Sequence, residues 1–145
     1  MREGLVHDIV INNTEIQQDI KSILNIDSEI KLIHEDTYIN GIIADFTLTA
    51  EDEIRAIIEC KAGDINVTDY VRGIGQLLQY EYFNEQNISP KNIPYAPVFN
   101  SVLLFPSSVV KINQFNLGRF KYPKSSILIE LNEISNIVRK IEKNE

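Results

Sequence analysis

Residues 42–61 read IIADFTLTAEDEIRAIIECK, two apolar runs joined by an acidic break, and this stretch constrains the fold most. Val-, Ile-, Phe- and Thr-rich segments with two-residue alternation are strands, and the polar step from Ala50 to Glu53 is a hairpin loop. Along the second strand Arg55, Ile57, Glu59 and Lys61 share one face, while Ile54, Ala56, Ile58 and Cys60 share the other. Pairing of the hairpin brings Asp45 to the same end as Glu59 and Lys61. Two carboxylates and an ammonium on one sheet face suit a hard divalent cation, which takes oxygen ligands and is held by one or two carboxylates. The competing reading is a cross-strand salt bridge on an exposed sheet face. Cys60 points away from the charged face and reads as a small core residue rather than a catalytic thiol.

A helix is expected next, from Thr68 or Asp69 to Asn84, with Val71, Ile74, Leu77, Leu78 and Phe83 as its apolar residues. Arg72, Gln76 and Tyr80 recur at four-residue spacing and so share a face. Gly73 and Gly75 each cost about 1 kcal/mol against alanine inside a helix. They either delay its start or allow close packing on the sheet.

The ordered set of Asp45, Glu59-x-Lys61 at a hairpin end and helical Gln76-x-x-x-Tyr80 resembles the PD-(D/E)xK nuclease superfamily. It is most similar to the Gln-x-x-x-Tyr variant found in RecB-type nucleases and in nuclease domains of type I restriction motor subunits. Ala44 stands where the motif has proline. The resemblance implies a restriction-endonuclease-like core and Mg²⁺-dependent hydrolysis of DNA phosphodiesters, endonucleolytic or exonucleolytic, with Mn²⁺ able to substitute. Asp45 and Glu59 would ligate the cation, with the backbone carbonyl of Cys60 as a further ligand. Glu15, on the first predicted helix, is the candidate for an additional one. Lys61 would orient the nucleophile and Gln76 would assist it. Tyr80 and Arg72 would contact substrate.

The other elements are placed by the same signals. Thr14 to Asn25 reads as a helix with Thr14 as N-cap and Gln17 completing a capping box. Glu29 to Ile39 is a strand, and Asn40-Gly41 a turn that feeds the hairpin. Val98 to Phe105 is an apolar run typical of a strand buried on both faces in a parallel arrangement. Ser126 to Leu131 is a fifth strand, and Asn132 to Lys143 a final helix with Ile134, Ile137, Val138 and Ile141 inward. The order αβββαβ(α)βα describes an α/β domain spanning residues 1–145, a central mixed sheet flanked by helices. His34 sits beside Glu35 and Asp36 with no second histidine at ligand spacing, so it and His7 read as surface residues.

The net charge of −7 bears on the partner. Residues 1–60 carry four basic against thirteen acidic side chains, whereas residues 111–145 carry seven against four. The basic, aromatic-interleaved segment Lys111–Lys124, with Lys121 and Lys124, is the candidate phosphate contact. A small, acidic chain implies a homodimer or a complex with a larger recognition subunit. The alternatives are a non-catalytic interaction or DNA-binding module and an RNA-processing nuclease of the same chemistry. With one cysteine, no signal peptide and no long apolar stretch, the expected setting is the cytoplasm, away from membranes.

Overall fold

A computed structural model describes residues 3–62, 67–107, 121–132 and 134–142. Two helices, α1 (Glu3–Asn12) and α2 (Thr14–Ile23), precede the strands β1 (Ile30–Thr37), β2 (Ile43–Ala50) and β3 (Glu53–Cys60). Helix α3 (Val67–Glu85) and a 3₁₀ turn at Pro90–Asn92 lead to β4 (Tyr95–Pro106), β5 (Ile127–Asn132) and β6 (Ile137–Ile141). The strands form one six-stranded mixed sheet in sequential order. β1, β2 and β3 are an antiparallel meander, β3, β4 and β5 run parallel, and β6 returns antiparallel to β5.

Helices cover both faces. Val6, Val10, Ile16, Ile20 and Leu24 from α1 and α2 pack on Phe46, Leu48, Ile58, Val102, Leu104 and Ile129. On the opposite face α3 sets Tyr70 and Leu77 against Leu103, Phe105 and Leu128, and Tyr80 and Phe83 against Ile54 and Ile57. Residues 102–105 alternate between the two cores, which is why this stretch is apolar without a polar face. Each such fully buried aliphatic side chain contributes about 1.5–3 kcal/mol.

The hairpin β2–β3 closes on Glu51 and Asp52, both with positive φ (53° and 62°), a tight turn built without glycine. Asn40 (50°) and Gly41 (75°) form the corresponding turn between β1 and β2, as the Asn-Gly pair predicts. The β2–β3 ladder then shifts register: Ala50 pairs with Glu53 and Thr49 with Ile54, but Leu48 pairs with Ala56. Arg55 is the extra residue of a bulge. Its guanidinium donates to the Val98 carbonyl (3.0 Å), Asn100 Oδ1 (3.1 Å) and the Leu24 carbonyl (2.6 Å). Without the bulge, Asp45 would lie opposite Ile58. With it, the Phe46–Ile58 pairing continues one step to set Asp45 opposite Glu59.

Three expectations need correction. The N-cap of α2 is Asn13, whose side chain accepts from the Ile16 N–H at 3.1 Å. Gln17 turns back instead to donate to the Val10 and Ile11 carbonyls that end α1, a helix not expected from the sequence. The segment expected as a final helix contains strand β6. Asn132 Oδ1 accepts from the N–H groups of Ile134 (3.0 Å) and Ser135 (3.1 Å), and Asn136 takes a positive φ of 55°. This asparagine-built turn reverses the chain before a helix can start, so Ile134 is left 89 % exposed.

Candidate functional site

Asp45 at the start of β2 and Glu59 at the end of β3 meet at the edge where the parallel strands end, the edge at which open α/β sheets bind ligands. Asp45 Oδ2 accepts the Cys60 N–H at 2.8 Å, so the carboxylate takes over a backbone donor where the β2–β3 pairing ends. The Lys61 N–H, one residue on, donates to the Leu104 carbonyl at 2.8 Å and fixes the strand end to β4.

Glu59 is 4 % exposed, and a carboxylate buried so far has to be compensated. Oε1 accepts from the Tyr80 hydroxyl at 2.5 Å and Oε2 from Gln76 Nε2 at 2.8 Å, while Lys61 Nζ lies 3.7 Å from Oε2. Residues 76 and 80, one helical turn apart, thus clamp both oxygens from α3. Burial, and then the Glu59 charge, push the Tyr80 phenol far above its ordinary ionisation range, so it stays a donor. Because Gln76 must turn its NH₂ to the carboxylate, its Oε1 is fixed as an acceptor. That buried oxygen has no hydrogen-bond partner among the described residues.

The lysine stem is accommodated by a glycine. A Cβ on Gly73 would lie 3.0 Å from Lys61 Cε and 3.2 Å from Leu103 Cδ1, whereas one on Gly75 would meet nothing within 4 Å. Gly73 therefore lets Lys61 cross α3 closely on its way to Glu59. Close packing, and not a delayed helix start, accounts for it.

The remaining candidate residues differ in how they stand to this centre. Tyr80 is 2 % exposed, so it braces Glu59 from beneath and does not present a surface to substrate. The Arg72 side chain is 75 % exposed and 3.7 Å from Asp69 Oδ1. Lys121 and Lys124 are exposed, and the remainder of the basic segment, residues 111–120, falls outside the described residues. Glu15 sits exposed in the first turn of α2.

The helical residue that reaches Asp45 is His7 of α1, whose Nε2 is 3.5 Å from Asp45 Oδ2. Ligand atoms of His7, Asp45 and Cys60 all lie within 4.8 Å of one another. Sequence reasoning missed His7 because it lacks a nearby partner along the chain. The available signal was its position between Val6 and Val10 on the buried stripe of α1.

These residues fit a divalent cation by two observations. Ligand atoms of His7 and Asp45 lie within 4.8 Å of each other, a mixed nitrogen and oxygen pair suited to Mn²⁺ as well as Mg²⁺, with Glu59 on the neighbouring strand end. The orphaned Gln76 Oε1 offers an acceptor to a water beside Glu59.

No known family profile matches the chain, and no curated protein matches it. Among solved structures it is similar to an XisH family protein from Nostoc punctiforme PCC 73102, at 11 % identity and a TM-score of 0.53. The alignment covers 94 % of this chain and 98 % of that one. The two proteins thus share a fold, a mixed six-stranded sheet flanked by helices.

Proposed function

We propose that this chain is a divalent-metal-dependent nuclease of the PD-(D/E)xK type that hydrolyses phosphodiester bonds in DNA. The observation that carries the reading is the joint placement of Asp45, Glu59 and Lys61 at one strand end, with Gln76 and Tyr80 clamped onto Glu59. Mg²⁺ or Mn²⁺ held by Asp45, Glu59 and His7, with the Cys60 carbonyl as a further ligand, would polarise a phosphate oxygen and acidify a bound water.

The chain's own groups do the rest. Tyr80 and Gln76 orient the Glu59 carboxylate by donating to both of its oxygens. Gln76 Oε1 accepts a hydrogen bond from the attacking water and so orients it. Lys61 brings a positive charge to where negative charge develops on the phosphate, an interaction stronger in the transition state than before it. Exposed Arg72, Lys121 and Lys124 contact the backbone of the nucleic acid. A homodimer or a larger recognition subunit supplies the remaining binding surface.

A second reading, a non-catalytic module of the same fold, draws on one observation: both Glu59 oxygens are already satisfied by protein donors. Plasmid cleavage separates the two. Wild-type protein should nick DNA with Mg²⁺ or Mn²⁺. Lys61→Ala should bind the cation yet lose activity about 10²–10³-fold, the order for one positioned electrostatic group. Metal binding without any cleavage by the wild type would favour the module.

A further inference from the structure

His7 and His34 are 27 residues apart in sequence, yet His7 Nδ1 and His34 Nε2 face each other at 2.8 Å. Both rings rest on Phe46, with centroid distances of 5.5 Å for His7 and 5.0 Å for His34, and they meet each other edge-on at 82°. Phe46 is 1 % exposed and pairs with His34 across β1–β2, so the platform beneath the two imidazoles is a rigid part of the core.

Glu35 completes the cluster by an unusual route. Neighbours along a strand point to opposite faces, which would send Glu35 away from His34. Instead Glu35 has a positive φ of 55° within β1, and its Oε1 lies 3.6 Å from His34 Nε2. Such a backbone is strained in a non-glycine residue and collects at functional sites. The three ligand atoms lie within 4.8 Å of one another. They open onto a solvent-accessible cleft of about 500 Å³ lined also by Gly4, Leu5 and Asp8.

We infer that His7, His34 and Glu35 form a second cation site, selective for a borderline transition metal of the zinc class. Two imidazole nitrogens at hydrogen-bond distance share one proton between them, and a cation that takes the place of this proton is ligated by both. Imidazole selects zinc, cobalt and nickel over magnesium. Two histidines, one carboxylate and a solvent-facing fourth position make a tetrahedral zinc set. Bonds of ~2.0–2.1 Å to each nitrogen require the two rings to part by roughly half an ångström.

The site competes for His7. With zinc on Nδ1, the neutral ring carries its proton on Nε2 and turns an N–H toward Asp45. With Nε2 given to a cation beside Asp45, the proton lies on Nδ1 and is donated to His34. One neutral imidazole cannot do both, so zinc at the second site withdraws a ligand from the first. This inhibitory consequence rests on the nuclease reading; the binding itself does not.

The test uses the full chain, Zn²⁺ in calorimetry and Co²⁺ as a spectroscopic probe. One equivalent of Co²⁺ should give the visible absorption of a tetrahedral nitrogen–oxygen site with no thiolate charge-transfer band. His34→Ala should weaken Zn²⁺ binding at least tenfold, and Glu35→Gln should do so as well while leaving any Mg²⁺-dependent cleavage intact and less sensitive to zinc. Glu35 is exposed, so its variant decides the matter even where His34→Ala folds poorly in circular dichroism. Absence of binding by the wild type, or equal affinity in Glu35→Gln, would overturn the site. So would a thiolate band lost in Cys60→Ser, which would place the cation among His7, Asp45 and Cys60. If the wild type cleaves no DNA, the nuclease reading fails while the zinc titration still decides this one.

Discussion

Glu59 shows how a buried carboxylate is kept in place: a phenol, an amide and an ammonium surround it, and each comes from a residue fixed by packing elsewhere. The phenol has a consequence for pH. Burial raises the ionisation of Tyr38, Tyr70, Tyr80 and Tyr95 well beyond the usual 10.0 and lifts Tyr122 to about 12. The neutral phenols add stability that is complete below pH 10, where folded and unfolded chains hold the same protons. Above pH 10 the unfolded chain ionises first, and each of the deeply buried phenols, Tyr38, Tyr70 and Tyr80, withdraws up to about 1.4 kcal/mol of stability per pH unit. Phenolate absorbance should therefore rise in one cooperative step together with loss of circular dichroism. Gradual ionisation of these tyrosines in a folded chain would contradict their burial.

Helix α3 carries the site as an element, and its two glycines separate stability from function. Gly75→Ala adds a side chain into open space and should stabilise the protein by about 0.5–1 kcal/mol with no change at the site. Gly73→Ala gains the same helix propensity but pushes Lys61 Cε from 3.0 Å, so its melting temperature should change little while cleavage falls. Melting curves and cleavage rates of the two variants, side by side, check this. Equal behaviour would remove the role given to Gly73. Much of α3 and the hairpin was legible because alternation, the polar turn and the Gln76/Tyr80 spacing are local signals. The bulge at Arg55 was not, since the contacts that hold it come from Leu24, Val98 and Asn100. Nor was β6, where Ile137, Val138 and Ile141 fit either period and the decision lay in the Asn132 turn. His7 reached Asp45 only through the docking of α1, which no spacing along the chain announces.

At the scale of the whole molecule, three layers bring the ends of β3, β4 and β5 to one edge, and the site sits there. No helix among the described residues is long and apolar enough to cross a membrane. An overall charge of −7 repels nucleic acid, so on the nuclease reading Lys121 and Lys124 would have to act locally. Replacing Lys121 and Lys124 together by glutamine should reduce the slope of log affinity against log salt by about 0.9 per lost phosphate contact. An unchanged slope would assign both to ordinary surface.

The central claim is that Asp45 is a cation ligand and not half of a salt bridge, and melting with and without Mn²⁺ tests it most directly. Asparagine at this position keeps an oxygen to accept the Cys60 N–H, so Asp45→Asn should melt within a degree or two of the wild type in chelator. With Mn²⁺ at a hundred times its Kd, linkage adds about 2.7 kcal/mol to the wild type. For a domain of this size that is a rise of about 5–10 °C. The account predicts that rise in the wild type and its absence in Asp45→Asn. A full metal-induced rise in Asp45→Asn would contradict it.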